Sequence, residues 1–250
     1  MRKTKLGPLG IFAVVRELRR GVGDTRPLAI AGARELVPLL ARELRAGGDA
    51  SAVVEGSTEG AAALVWVGPP DEDALRAASR AGIPVVAVTD ADSVPYVLAS
   101  AIVHVPPGKG FPVDEIAQAL ARGLGEDGTS LAARLPRLRD AVCDHLIASF
   151  AKKNAIVAAA VFVPGIDLPV LTLNQIRLVL RIALAHGEQI DNRRAVELLG
   201  VVGAGFGMRA VARELLDLVP VAGWAMKGAV AYAGTKAVGE AAVRYFAARG

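Results

Sequence analysis

Between Arg26 and Arg122 the chain alternates short, almost unbroken apolar runs with stretches of helical period, and this alternation restricts the fold more than any other feature. Leu28-Ala-Ile-Ala31, Ala63-Leu-Val-Trp-Val67, Pro84-Val-Val-Ala-Val88 and Ala101-Ile-Val-His-Val105 are the principal runs, with Ala52-Val-Val54 a weaker one. An apolar run without polar alternation reads as a strand covered on both faces, the pattern of a parallel sheet. Between the runs the spacing predicts helices. One spans Ala33 to Ala46 and is closed by Gly47-Gly48, one runs from Asp71-Glu-Asp73 to Ala81, and one covers about Pro112 to Arg122. The expected fold class is α/β, with a parallel Rossmann-like or P-loop-like sheet.

Past Gly123-Leu-Gly-Glu-Asp-Gly128, read as a linker, strand periodicity stops. Leu131, Leu135, Leu138, Val142 and Leu146 follow helical spacing, Pro164-Gly165 and Pro169 mark a bend, and a helix over Thr172–His186 ends at Gly187. Two more helices are expected, from Asp191 to about Leu218 and from Pro220 to Ala248. Apolar residues make up 53% of the chain but aromatics only 4%, so close packing of small-residue helices is favoured over an aromatic core. The expected organisation is a basic amphipathic N-terminal helix in 1–25, the α/β domain in 26–125 and an all-α helical bundle in 126–250.

A mean hydropathy of +0.41 raises the question of a membrane. The longest charge-free run in the C-terminal half, Asn154–Ile166, falls short of the ~20 apolar residues needed to span a bilayer. The helix expected over 9–20 sets Ile11, Val14, Val15 and Leu18 on one face and Arg16, Arg19 and Arg20 on the other. Its apolar face is expected to pack on the protein itself, with interfacial insertion as the alternative. No secretory signal is expected, because Gly7, Pro8 and Gly10 interrupt the early apolar stretch. Cys143, the sole cysteine, excludes an intrachain disulfide and suits a reducing cytosol.

Charge is segregated. Residues 1–25 hold six basic and two acidic side chains, 26–125 hold eight and twelve, and 126–250 hold fifteen and eleven. An acidic block between two basic ones fits domains docking on one another, or a basic surface meeting anionic lipid. The scattered cations lack interleaved aromatics, so no nucleic-acid partner is expected.

A strand–Gly–helix opening invites comparison with the phosphate loop G-x-x-x-x-G-K-[ST]. Counting from Gly32, the second glycine, lysine and hydroxyl positions hold Val37, Pro38 and Leu39. Hydrocarbon and a proline ring offer no cation to a triphosphate. Where a guanine-reading Asn-Lys-x-Asp would follow the later strand, the chain has Thr89-Asp90-Ala91-Asp92, in which only Asp92 fits. Nucleotide hydrolysis is therefore not expected. Gly32, Asp92 and Lys109 remain as a candidate anion or nucleotide site without turnover, since ligands of open parallel sheets sit at the carboxyl ends of the strands. Gly203-Ala-Gly205-Phe-Gly207 has the wrong spacing and context for a dinucleotide fingerprint. Gly203 and Gly207, one turn apart, read instead as a groove for a crossing helix. His104, His145 and His186 lack ligand spacing, so neither a metal nor another cofactor is expected, and no catalytic constellation is present.

Val163-Pro-Gly-Ile-Asp-Leu-Pro169, Gln175-Ile-Arg-Leu-Val-Leu-Arg-Ile-Ala183, Val219-Pro-Val-Ala-Gly-Trp-Ala-Met-Lys227 and Ala231-Tyr-Ala-Gly-Thr-Lys-Ala-Val-Gly-Glu-Ala-Ala242 resemble the YcjF-like helical domain of unknown function. The resemblance covers about 130–247, and its last block is the most specific. It implies a bacterial protein associated with Era-like GTPase modules and often with membranes, and makes 26–125 look like a degenerate GTPase domain. No catalytic residue carries over. The function expected is a non-catalytic, GTPase-related regulator or scaffold, cytoplasmic or peripheral at the inner face of the membrane. Its helical domain would bind a partner protein, itself or an anionic membrane surface through Gly203, Gly207, Trp224, Tyr232, Gly234, Thr235 and Gly239. The alternatives are a nucleotide- or anion-binding protein and a peripheral membrane-remodelling protein.

Overall fold

The computed structural model describes residues 12–18, 24–106, 108–160, 168–191, 195, 196, 200 and 224–249, with backbone only at 168, 169, 224 and 225. Two compact units form: Gly23–His145, and a second that joins Met1–Val22 to Leu146–Gly250. Composition had placed the division at 125/126, with the N-terminal helix apart. The difference is a matter of long-range packing, which composition does not record.

In the first unit, strands β1 (Leu28–Gly32), β2 (Val53–Glu55), β3 (Ala63–Val67), β4 (Val85–Val88) and β5 (Ile102–Val103) form one parallel sheet in the order β2-β1-β3-β4-β5. Leu28, Ala29, Ile30, Leu64 and Val65 are wholly buried, which is why those runs carry no polar residue. Helices α2 (Val37–Arg45), α3 (Glu72–Arg80) and α4 (Val113–Leu124) follow β1, β3 and β5. Asp71 starts α3 by accepting hydrogen bonds from the Asp73 and Ala74 amides at 3.0 and 3.1 Å, an N-cap contributing about 1 kcal/mol. Arg45 covers the β2 edge, donating to the Val53 carbonyl at 3.0 Å and pairing with Glu55 at 2.9 Å.

Three sequence expectations are corrected. Helix α2 begins at Val37, not Ala33, because Pro38 lacks an amide hydrogen and is accommodated only in a first turn. β5 holds two residues where five were expected, since a 3-10 turn takes Ala99–Ala101 and prolines follow from position 106. The supposed linker is packed structure: α4 continues through Leu124, a 3-10 turn spans Gly125–Asp127, and α5 (Gly128–Arg134) follows with Gly128 buried. A Cβ on Gly128 would stand 3.3 Å from both Leu124 Cβ and Val142 Cγ2, so this glycine admits a close contact. Arg134 then staples α5 down, donating to Asp49 Oδ2 at 3.0 Å, the Thr25 carbonyl at 2.9 Å and Ser51 Oγ at 3.2 Å. The Ser51 hydroxyl and amide, with Arg134, hold the Asp49 carboxyl below its ordinary range.

The second unit contains helix α1 (12–18), α6 (Arg139–Ala160) from Leu146 onward, α7 (Leu168–Ala185) and α8 (Trp224–Ala247). As expected, α1 turns its apolar face inward: Val14, Val15 and Leu18 are buried, and Glu17 pairs with Arg177 of α7 at 2.9 Å. The Ile11 assignment lies outside the described residues. α8 lies against Ala155 and Ile147 of α6 at Gly228 and Gly239, so these two helices are antiparallel. His186 just past α7 and Phe246 of α8 are 5.8 Å apart by ring centroid, while Leu178 reaches Gly239, so α7 and α8 run parallel. Among the described residues, no helix is long and apolar enough to cross a membrane.

Candidate functional site at the carboxyl edge of the sheet

A sheet in this order reverses direction between β1 and β3, and doubly wound proteins bind ligands in the crevice outside that switch point. The residues there are Gly32, which ends β1, and Val67-Gly68, which end β3 and begin its exit loop. Here the two exits meet. The Ala33 amide donates to the Val67 carbonyl at 2.8 Å. A Cβ built on Gly32 would stand 2.1 Å from that same oxygen and 2.9 Å from Val67 C and N, with φ at +125°. Only glycine meets both the conformation and the approach. From the other side, a Cβ on Gly68 would come within 2.9 Å of Ala33 Cβ.

The amides at the other strand exits are engaged in the same way. Gly56 donates to the Ile30 carbonyl at 2.9 Å, Gly68 to Val88 at 2.8 Å, and Thr89 to Val103 at 3.1 Å. In the first turn, the Leu36 and Val37 amides both donate to the Ala33 carbonyl, at 2.9 and 3.0 Å, and Pro38 has none. Phosphate loops work by aiming successive backbone amides at an anion. This turn commits its Leu36 and Val37 amides to the Ala33 carbonyl, and it presents the exposed Glu35 carboxylate beside them. Val37 is buried beneath the turn, whereas Leu39 is 46% exposed.

Gly32, Asp92 and Lys109 all follow strands at this edge, from β1, β4 and β5. β1 and β5 are three strand positions apart, roughly 14 Å at the usual interstrand spacing. Asp90, Asp92 and Lys109 are all exposed. Thr89 is buried with its hydroxyl accepting from the Ala91 amide at 3.3 Å, so the segment at the guanine-reading position is a self-satisfied turn. Among the described residues, no group of His, Cys, Asp and Glu side chains could hold a metal ion. Cys143 is buried, and burial pushes its thiol up to about 12, beyond nucleophilic use.

In the helical unit the sequence-selected residues separate. Thr235 is fully buried and Gly239 lies against Ile147 Cγ1, where a Cβ would approach to 2.5 Å. Gly234 is corrected: a Cβ there would meet nothing within 4 Å, so it serves no helix approach. Tyr232 is 36% exposed. Gly203, Gly207 and the Trp224 side chain lie outside the described residues. Sequence reading missed Gly228, whose absent Cβ admits the Ala155 carbonyl at 3.2 Å, and it missed Asn154 and Asn174. The Asn154 amide donates to Thr235 Oγ1, and Asn174 donates to Asn154 Oδ1, each at 2.8 Å. Asn154, a polar residue at the head of the charge-free run, was the available signal. A scan against protein-family models, a search of curated proteins and a search of solved structures each found no match to this chain.

Proposed function

We propose that this protein is a non-catalytic scaffold or regulator: an α/β unit whose ligand crevice is closed, carrying a helical module that engages a protein partner or another copy of itself. The observation that supports this reading is the first turn after β1, where the Leu36 and Val37 amides donate to the Ala33 carbonyl, Pro38 has no amide hydrogen and the exposed Glu35 carboxylate stands beside them. A nucleotide placed outside these strand ends would meet Val37, Pro38 and Glu35 where amides and an ammonium are required.

The helical module's likeness to the YcjF-like domain, and the derivation of the α/β unit from a GTPase, belong to the same proposal. A five-stranded parallel sheet is compatible with that descent, and the erased motif at Val37, Pro38 and Leu39 explains why the chain would keep the frame without the chemistry. Isothermal titration of the full chain with GTP, GDP and ATP in the presence of Mg²⁺ tests the proposal. No saturable heat up to millimolar nucleotide is expected, and micromolar binding with hydrolysis would overturn it.

A further inference from the structure

The three long helices of the helical unit change character at one level. Asn154 of α6 and Thr235 of α8 are wholly buried, and Asn154 Nδ2 donates to Thr235 Oγ1 at 2.8 Å. Asn174 of α7 donates to Asn154 Oδ1 at 2.8 Å, so the three positions stand side by side across the unit. Because α6 runs antiparallel to α7 and α8, residues 155–160, 168–173 and 224–234 all lie on the same side of that level.

On that side the side chains are almost uniformly uncharged. Across 155–160, 170–173 and 226–234 the sole charged residue is Lys227, and no carboxylate occurs. Ile156 is 68% exposed, Met226 51% and Val170 46%. Immediately on the other side of the level come Lys152 and Lys153 of α6 and Lys236 of α8, all exposed. Lys153 lies 5.0 Å over the Phe150 ring, and Lys236 is 3.6 Å from Glu240, one turn farther back. The unit therefore ends in an apolar tip bounded by a cationic collar.

The directions of the exposed side chains decide what such a tip suits. Ile156 is two residues, about 200° of helix, from Asn154, which faces α8. Met226 is likewise two residues from Gly228, where α8 meets the Ala155 carbonyl of α6. The two thus project from opposite sides of the α6–α8 pair, and a protein surface docked on one side leaves the other bare. A lipid interface surrounds a tip on every side. From Asn154 to the end of α6 at Ala160 the rise is about 9 Å, within the roughly 5–10 Å to which apolar helix faces sink at a bilayer surface. The collar then stands at the headgroups, where each lysine strengthens binding to anionic lipid about fivefold.

We infer that this end of the helical unit is a peripheral anchor for an anionic bilayer surface: Ile156, Val170 and Met226 enter the headgroup boundary while Lys152, Lys153 and Lys236 meet the lipid charges. The anchor does not rest on the function proposed above.

Flotation of the full chain with vesicles tests it. Binding is expected to phosphatidylcholine vesicles containing phosphatidylserine, with weaker binding to phosphatidylcholine alone and loss of the difference at high salt. Ile156→Ser combined with Met226→Ser is expected to lower binding about tenfold or more, and Lys152→Glu with Lys236→Glu to abolish the preference for anionic vesicles. Leu98→Ser, which removes a side chain 77% exposed on the α/β unit, is expected to change nothing. Failure of the native chain to float at low salt would overturn the anchor, as would undiminished binding by the Ile156/Met226 variant. An oligomer that this variant dissolves, with no binding to either vesicle, would also overturn it and assign the tip to a second copy. If the variant does not fold, an environment-sensitive fluorophore on Ile156→Cys in a Cys143→Ala background decides. A blue shift with anionic vesicles, absent for the same label on Leu98→Cys, supports the anchor, and no shift overturns it.

Discussion

Replacing Gly32 by alanine measures how tightly the switch point is closed. The added Cβ would sit 2.1 Å from the Val67 carbonyl oxygen and 2.9 Å from Val67 C and N, and all three are backbone atoms of the central strand β3. No rotamer change relieves the contact, so β1 and β3 must separate or the Ala33–Val67 hydrogen bond must break. Backbone strain at φ +125° adds roughly 1–3 kcal/mol, and losing a buried hydrogen bond adds about 1 kcal/mol. With the steric displacement, a total of about 3–5 kcal/mol is expected. Gly56→Ala is the matched control: its φ is +82° but a Cβ there meets nothing within 4 Å, so about 1 kcal/mol is expected. The assay is urea unfolding followed by Trp66 fluorescence in a Trp224→Phe background. Trp66 lies in β3 and anchors its indole N–H to the Pro69 carbonyl at 2.8 Å, so it reports on the α/β unit. Equal destabilisation by the two substitutions would refute the closed crevice, because the steric component would then be absent.

Three other outcomes are expected. Val15→Asp puts a carboxylate at a position 1% exposed on α1 and should destabilise the helical unit by about 3 kcal/mol or more, read by Trp224 fluorescence in a Trp66→Phe background; an unchanged midpoint would mean that α1 does not pack there. Cys143 should resist Ellman's reagent at pH 8 in the native chain and react in urea, its thiolate about a thousandfold scarcer when folded. Because its thiol is raised in the folded state, its stabilising contribution is complete below about pH 9 and declines toward pH 12; prompt native-state labelling would contradict this burial. Arg134→Ala should lower the thermal midpoint of the α/β unit by a few degrees at pH 7. The difference should begin to shrink as pH falls below about 4, where the unfolded Asp49 carboxyl takes up its proton, and vanish as pH passes below the lowered folded value. A pH-independent difference would show that Arg134 acts through packing alone.

Strands β1, β3 and β4 were legible in the sequence because burial on both faces leaves no room for polar residues in the runs that form them. The start of α3 was legible because Asp71 is both the cap and the first of three acidic residues. The start of α2 was obscured at Pro38, whose ring is compatible with a helix only in its first turn. The Gly-rich stretch ending at Gly128 looked like a linker, since the sequence shows a missing side chain but not the Val142 methyl that takes its place. Thr235 stood out only within a longer block. Its partners Asn154 and Asn174 are 81 and 61 positions away, too far for spacing to link them. At the carboxyl edge, the lost phosphate-loop residues were readable from Val37, Pro38 and Leu39. That the Gly32 backbone lies hard against Val67 was not, because Gly32 looks the same in a sequence whether it faces a ligand or a neighbouring strand.

The Ala33 amide offers the most direct measurement. Followed by ¹⁵N-resolved NMR of the native chain, it should exchange slowly with deuterated solvent, and its resonance should stay in place as Mg·GTP is added to millimolar concentration. Rapid exchange, combined with a saturable shift of that resonance on adding nucleotide, would contradict the closed switch point and the non-catalytic scaffold built on it.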